Sequence, residues 1–241
     1  MDLFQTLQAD FYLNFIQDNR WRYLWTGLGN TLKITFCAVI IGIVIGVLIS
    51  MIRSTYDKTY EEMQPGPGRF FLFLADRICR LYLTVIRGTP VVVQLMIMYY
   101  IIISSTRNGL MVAIFAFGIN SGAYVAEIFR SGIMSVDNGQ FEAGRSLGFN
   151  YVETMRHIVL PQAFKNVLPT LANEFIVLLK ETSVAGYVAI RDLTNGGYII
   201  RSVTYSSFMP LIAVALTYLT MVMFFTWLVG RLERRLRNSD H

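Results

Sequence analysis

Residues 142–164 read EAGRSLGFNYVETMRHIVLPQAF, a polar and helix-forming stretch between two strongly apolar segments. A connection that only reverses the chain needs about five residues, so this stretch is longer than a simple loop requires. Its length and polarity indicate a separate structural element that another molecule recognises.

The signals inside this stretch predict two short helices. Residues 136–147 suit the first helix, and Gly148 is placed to end it. Asn150 can cap the second helix, and Glu153, three residues later, completes a capping box. Pro161 is predicted to stop the second helix. From periodicity alone, an amphipathic loop that rests on the lipid surface is an alternative to two projecting helices.

The rest of the chain has the composition of a multi-pass membrane protein. Charged residues make up 15% of the sequence and the mean hydropathy is +0.47, whereas soluble domains contain about 25% charged residues. A helix of about 20 residues crosses the hydrocarbon core. We predict one all-α transmembrane domain over residues 1–241, with five spans at about 31–52, 88–106, 109–128, 167–189 and 208–230.

The segments between the spans carry their own signals. Residues 53–69, RSTYDKTYEEMQPGPGR, are predicted to be a linker because the Pro-Gly-Pro-Gly core cannot continue a helix. Residues 70–87 mix apolar residues with charges, which fits a helix that enters from an interface. A new helix is predicted to start at residues 88–90, Gly-Thr-Pro, because Thr can cap it and Pro is tolerated at its first position.

The distribution of basic residues predicts the orientation. Fourteen Lys and Arg fall in residues 53–87, 130–165 and 231–237, against six on the other side of the predicted membrane. The excess places the N-terminus outside and the C-terminus in the cytoplasm. The loop at 136–161 is then cytoplasmic. The net charge of +5 is accounted for by this topology, so no nucleic-acid partner is predicted.

Motifs of catalysis and cofactor binding are missing from the sequence. There is no Walker A pattern, no HExxH and no GxSxG. The two cysteines and two histidines are too few and too scattered for a disulfide framework or a metal site. We therefore predict a protein that is not an enzyme and holds no cofactor of its own.

The opening stretch resembles the EAA loop of permease subunits of ATP-binding cassette (ABC) importers. The resemblance lies in Glu142-Ala143-Gly144, then Gly148, then Ile158-Val159-Leu160-Pro161. Gly144 stands where the third position of that motif is usually Ala. The sequence around it also resembles the polar amino-acid branch, the histidine, glutamine and arginine group. The matching residues are Arg87-Gly88-Thr89-Pro90, Gln94, Ala123-Tyr124, Glu127, Arg130, Gly139-Gln140, Pro169, Asn173, Leu179-Lys180 and Thr182-Ser183.

The resemblance implies a type I importer permease in the bacterial cytoplasmic membrane, which moves a polar amino acid by alternating access. It implies as partners an ABC ATPase dimer, which binds ATP and Mg²⁺, a second permease copy or paralogue, and an extracytoplasmic amino-acid-binding protein. The implied ATPase-coupling residues are Glu142, Ala143, Gly144, Leu147, Gly148, Ile158, Leu160 and Pro161. A secondary transporter or channel subunit that is not coupled to an ATPase is the alternative function.

Polar residues inside the predicted spans are the candidates for contact with substrate. Asn120, Tyr124 and Glu127 are spaced i, i+4 and i+7 and share one helix face. A zwitterion needs a cation for its carboxylate and acceptors for its ammonium group. The predicted substrate residues are Asn120, Ser121, Tyr124, Glu127, Lys180, Glu181, Thr182 and Ser183. Ion pairs that only hold helices together, Lys180 with Glu181 or Glu127 with Arg130, remain the alternative.

Overall fold

Helices form all the regular secondary structure of the described chain, which is residues 3–106 and 108–237 of a computed structural model. The α-helices are α1 (Leu3–Phe11), α2 (Trp21–Thr59), α3 (Pro67–Gly88), α4 (Val91–Ile97), α5 (Gly109–Met134), α6 (Asn138–Ser146), α7 (Tyr151–Thr154), α8 (Leu160–Glu181), α9 (Leu193–Thr204) and α10 (Phe208–Arg237). Single π turns lie at Tyr12–Ile16, Met98–Ile102 and Met155–Val159, and 3₁₀ segments at Gln17–Asn19 and Thr182–Val188.

The described residues pack as two compact units, and each unit is assembled from separate parts of the chain. The first contains residues 3–38, 91–106, 108–117 and 175–228, and the second contains 39–90, 118–174 and 229–237. In the second unit, a cluster of buried apolar side chains joins α5 to α8. Its buried members are Val125, Phe129, Val167 and Leu171.

The predicted pair of short helices is present in the second unit. Asp137 caps α6 by accepting a hydrogen bond from the backbone N–H of Gly139 at 2.6 Å. Gly148 follows α6 with a φ of +82°, the left-handed conformation that glycine adopts without a Cβ penalty. The capping box of Asn150 and Glu153 is formed in both directions, at 3.0 and 2.9 Å. These local predictions are confirmed.

The predicted stop at Pro161 is wrong. The backbone stays helical from α7 through the π turn Met155–Val159 into α8. Proline lacks an N–H and its ring crowds the carbonyl four residues back, which breaks a regular helix. Here the N–H of Leu160 donates to the carbonyl of Met155, five residues back. This wider turn comes directly before Pro161, so the helix absorbs the proline and continues.

The predicted linker at 53–69 is shorter than expected. Helix α2 runs on to Thr59, and only residues 60–66 lie between it and α3. Pro67 is the first residue of α3, where its missing N–H has no consequence. The break predicted at residues 88–90 is present, since α3 ends at Gly88, but the new helix begins at Val91 and not at Pro90.

Within residues 3–106 and 108–237, three helices are long and apolar enough to cross a membrane: Trp21–Thr59, Gly109–Met134 and Phe208–Arg235. The pair Pro67–Gly88 and Val91–Ile102 bends by 108° at its break and makes a fourth if the pair is counted as one span. The predicted span at 167–189 covers the end of α8 and the following 3₁₀ segment. The count of five spans and their orientation stay predictions.

A helix that the sequence analysis did not anticipate lies between α8 and α10. The polar segment 191–207 contains α9, which Asp192 caps by accepting the N–H groups of Thr194 and Asn195 at 3.1 and 3.0 Å. Asp192 is fully buried in the first unit. The following residue, Leu193, donates its N–H to Thr31 Oγ1 on α2 at 3.1 Å. This cap therefore fixes the start of α9 against α2.

The burial of Asp192 predicts a pH-dependent stability. Burial raises the pKa of Asp192 to about 6, although the N–H groups of Asn195 and Thr194 oppose the rise. Between about pH 4 and pH 6 the folded protein keeps a proton that the unfolded chain has released, so stability falls as the pH rises and then levels off. The loss amounts to roughly 3 kcal/mol at most. Asp192→Asn should remove this slope when melting temperature is measured from pH 4 to pH 7; an unchanged slope would assign it to another group.

Candidate functional sites

Charged side chains from α2, α3 and α5 meet in the second unit and form an arginine–carboxylate cluster. Its members are Arg53 and Asp57 of α2, Asp76, Arg80 and Arg87 of α3, and Glu127 and Arg130 of α5. Four arginines face three carboxylates, so the cluster carries one excess positive charge. Because each carboxylate contacts arginines on at least two helices, the cluster ties the three helices together.

Asp76 is the most buried member of the cluster. Its side chain is 1% exposed, and one oxygen accepts a hydrogen bond from Arg80 Nε at 2.6 Å. Its other oxygen, Oδ1, lies 3.6 Å from Arg53 Nε, and neither of these two atoms has a hydrogen-bond partner. Arg53 is itself only 12% exposed and donates to Glu127 at 3.1 Å. A buried charge in such a position depends on its partners for stability.

A cavity of about 540 Å³ opens beside the cluster. Its lining residues are Arg53, Arg80, Leu83, Thr84, Arg87, Gly88, Tyr124 and Glu127. The Arg87 guanidinium lies 5.8 Å from the ring centre of Tyr124 and 3.6 Å from Glu127 Oε1. Arg87 is 46% exposed, and its carboxylate partner is shared with Arg53 and Arg130. The cavity thus presents a cation, an anion and an aromatic ring together, a combination suited to a zwitterion.

The four predicted substrate residues on α5 fall into two groups, those that line the cavity and those that are buried. Tyr124 and Glu127 line the cavity. Asn120 and Ser121 are buried, and the Ser121 hydroxyl donates to Glu174 at 3.2 Å. The predicted alternative of a Glu127–Arg130 ion pair is also present, at 3.4 Å.

The other four predicted substrate residues, 180–183, lie in the first compact unit and therefore in a different unit from the cluster. Lys180 is exposed and Glu181 is half-buried. Thr182 is buried and donates its hydroxyl to the carbonyl of Leu179 at 2.8 Å. Ser183 lines a separate cavity of about 470 Å³ together with Gly186, Tyr187, Thr194, Asn195 and Tyr198.

The predicted coupling residues lie on α6 and just after it, in the π turn Met155–Val159 and at the start of α8, and they differ in burial. Glu142, Ala143, Leu147, Gly148 and Pro161 are exposed, Ile158 and Leu160 are half-buried, and Gly144 is buried. The two short helices pack on a core of Ile133, Val136, Phe141, Met155, Val159 and Ala163. This core makes the loop a fixed element of the fold.

The structure explains why glycine, and not alanine, stands at the third position of the EAA motif. A Cβ atom on Gly144 would lie 2.5 Å from Thr154 Oγ1 and 2.6 Å from Thr154 Cγ2. Thr154 is buried on α7, and its hydroxyl has no hydrogen-bond partner. The close approach of α6 to α7 therefore depends on the missing side chain of Gly144.

Gly144→Ala should loosen this contact, although alanine raises helix propensity. Overpacking of this kind destabilises by about 1–3 kcal/mol. We expect amide hydrogen exchange across residues 138–154 to become faster by about tenfold or more. Adding Thr154→Ala to Gly144→Ala should restore most of the protection, because it removes both clashing atoms. Equal exchange in the single and double variants would contradict the packing argument.

Two apolar side chains on the loop have no cover in the chain. Leu147 is 71% exposed at the end of α6, and Val152 is 70% exposed on α7. Both lie beside the turn at Gly148. Exposed apolar side chains at the tip of an ordered, polar element are typical of a docking surface for another protein.

Five members of the cluster were not predicted as site residues: Arg53, Asp57, Asp76, Arg80 and Arg87. Arg53 and Arg80 served only as markers of membrane side, and Arg87 served also as part of the family resemblance. One signal was available: Asp76 and Arg80 are four residues apart, so they share a helix face. The pairing of α3 with α2 and α5 joins residues far apart in sequence and could not be read from spacing.

Residues 66–238 match the family model described as the inner membrane component of binding-protein-dependent transport systems. The chain belongs to this family. The permease is 36% identical to the arginine transport system permease protein ArtQ of Bacillus subtilis over 221 residues, which cover 90% of the permease and 94% of ArtQ. It is 35% identical to the glutamine transport system permease protein GlnP of Escherichia coli K12 over 170 residues, which cover 68% and 77% of the two chains.

One solved structure supports the same assignment, and a second supports the fold alone. The permease superposes on a chain of an amino acid ABC transporter crystallised with histidines with a TM-score of 0.78 and 36% identity, covering 98% and 99% of the two chains. It superposes on an inward-facing methionine transporter, MetNI, with a TM-score of 0.75 at 20% identity, covering 90% and 97%. The prediction of an all-α, type I ABC importer permease in the inner membrane is confirmed.

Proposed function

We propose that the permease is the membrane-spanning subunit of an ATP-driven importer that moves a polar amino acid into the cytoplasm by alternating access. A separate ATPase dimer, which binds ATP and Mg²⁺, docks on the loop formed by α6 and α7. The observation that carries the proposal is this ordered two-helix loop, which exposes Leu147 and Val152. The names of the relatives, which transport arginine and glutamine, support an amino acid as cargo.

The proposal includes two further partners. A second permease, identical or paralogous, completes the pathway, and an extracytoplasmic binding protein delivers the substrate. The test is uptake into proteoliposomes that contain the permease, its ATPase and its binding protein. Labelled arginine, glutamine or histidine should accumulate only when ATP is present inside with the ATPase. Uptake that follows an ion gradient without ATP would contradict the proposal in favour of a secondary transporter.

For the substrate site we propose the cavity beside the arginine–carboxylate cluster. The substrate carboxylate binds Arg87, its ammonium group binds Glu127, and the Tyr124 ring packs against its side chain. Arg87 is suited to this role because it is 46% exposed and shares its carboxylate partner with other arginines. Asn120 and Ser121 lie on the buried side of α5 and have no contact with the substrate in this proposal. Lys180, Glu181, Thr182 and Ser183 form the competing candidate set.

Arg87→Gln should raise the KM for uptake on the order of tenfold to a hundredfold, because hydrogen bonds to charged groups contribute about 1.5–3 kcal/mol. The matched control is Arg130→Gln, since Arg130 pairs with the same Glu127 but does not line the cavity. It should leave KM near the unmodified value. If Lys180 is the carboxylate partner instead, Lys180→Ala will abolish substrate-stimulated ATP hydrolysis with assembly intact, and Arg87→Gln will leave KM unchanged.

A further inference from the structure

Helix α3 has two faces of opposite character. One face packs against the rest of the second unit and buries Asp76, Cys79 and Leu83. The other face is apolar and exposed, and we call it the α3 stripe. Its members are Phe70, Phe71, Leu74, Ile78, Leu81 and Val85. Their spacing of three or four residues from Phe71 onward places them along one side of the helix. In a membrane protein, such a stripe contacts acyl chains.

Arg77 interrupts the α3 stripe. It lies three residues after Leu74 and four residues before Leu81, so it is on the exposed side. Its guanidinium lies 4.9 Å from the ring centre of Phe73. Among the described residues, Arg77 forms no ion pair. Every carboxylate of the arginine–carboxylate cluster is paired with other arginines. A lipid-facing arginine needs an anion or water for its charge.

A second arginine lies near the start of the same helix. Arg69 donates to the carbonyl of Met63 at 3.1 Å, and its guanidinium lies 4.6 Å from the ring centre of Tyr60. It lines an open cavity of about 350 Å³ with Tyr60, Pro65, Gly66, Phe70 and Phe73. Among the described residues it too forms no ion pair. Arg69 and Arg77 are about 12 Å apart along the helix axis, at 1.5 Å per residue.

We propose that α3 binds an anionic phospholipid. The headgroup phosphate binds Arg77, Arg69 adds positive charge near the start of the same helix, and the acyl chains cover the α3 stripe. Arginine recognises phosphate by paired hydrogen bonds, and basic residues beside an apolar helix face are the pattern that anionic lipids fill. A free phosphate ion would leave the stripe uncovered, and a second protein chain would have to supply carboxylates opposite both arginines. An anionic lipid supplies the charge and the apolar cover in one molecule.

The experiment counts bound lipid on the detergent-solubilised, assembled transporter by native mass spectrometry. Phosphatidylglycerol is titrated, with phosphatidylcholine as the neutral comparison. Arg69→Gln with Arg77→Gln should weaken phosphatidylglycerol binding on the order of thirtyfold, because each of the two basic residues contributes about 1 kcal/mol of attraction. Arg77→Lys, which keeps the charge, should bind with intermediate affinity. Phosphatidylcholine binding should not change.

Arg156→Gln is the matched control, because Arg156 is an exposed arginine on the loop of α6 and α7 and lies outside the α3 stripe. It should leave phosphatidylglycerol binding unaltered. The proposal is overturned if the double variant binds this lipid as tightly as the unmodified transporter, or if Arg156→Gln weakens binding equally. Displacement of the lipid by excess inorganic phosphate would also overturn it, as would cross-linking of Ile78→Cys to its own copy in a second permease.

Discussion

Leu147→Asp is expected to abolish ATP-driven uptake by detaching the ATPase from the permease. Leu147 is 71% exposed at the end of α6, so the substitution leaves the folded chain without a new buried charge. In an interface, the carboxylate would be desolvated where an apolar side chain had been buried. Truncation of a central apolar contact costs about 2 kcal/mol or more. We expect the ATPase to bind on the order of thirtyfold more weakly or worse.

The measurement is co-purification of the ATPase with a tagged permease, followed by ATP hydrolysis. Val152→Asp tests the second exposed side chain of the loop and should act in the same direction. Tyr205→Asp is the control, because Tyr205 is 93% exposed but lies between α9 and α10, on the predicted outer side. It should co-purify normally. Full retention of the ATPase by the Leu147 and Val152 variants would refute docking at this loop.

Asp76→Asn is expected to produce the largest loss of stability among the charged substitutions considered. The change preserves shape but removes the negative charge between Arg53 and Arg80, leaving four arginines with two carboxylates in the cluster. Removing one partner of a buried ion pair costs about 3 kcal/mol. The loss should appear as a lower melting temperature of the solubilised transporter. Helix α3 should also become more accessible to protease.

Asp18→Asn is a stringent control for the burial of Asp76. Asp18 also pairs with an arginine, Arg20, at 2.7 Å, but its side chain is 69% exposed. Asparagine tolerates the left-handed backbone at this position. Because water reaches the Asp18 carboxylate and Arg20 also donates to the carbonyl of Leu13, the loss of stability should be clearly smaller than for Asp76→Asn. Equal losses in the two variants would mean that burial does not determine the contribution of Asp76.

Local signals in the sequence were sufficient to predict the two short helices between α5 and α8. Asn150, Glu153 and Gly148 act through neighbours within four residues, and the structure confirms the capping box and the left-handed turn. Pro161 misled the prediction because its effect depends on the helix before it. A regular α-helix would have ended there, whereas a single π turn removes the conflict.

Long-range pairing set the limit of prediction for the candidate site. Tyr124 and Glu127 were identified from their shared helix face, but the partners of Glu127 on α2 and α3 were not. Asp192 was missed for a related reason. A lone carboxylate in a polar segment resembles a surface residue, and only its position against α2 makes it a buried cap.

The helical backbone that continues across Pro161 connects the loop of α6 and α7 directly to α8. Residues 151–174 are helical without interruption, over about 36 Å of helix at 1.5 Å per residue. A rod behaves as a lever, so a tilt of ~10° imposed at α7 would move its far end by about 6 Å. A flexible joint at Pro161 would have dissipated that motion. The π turn therefore lets Pro161, a residue type that usually interrupts helices, lie inside a helix that can transmit this motion.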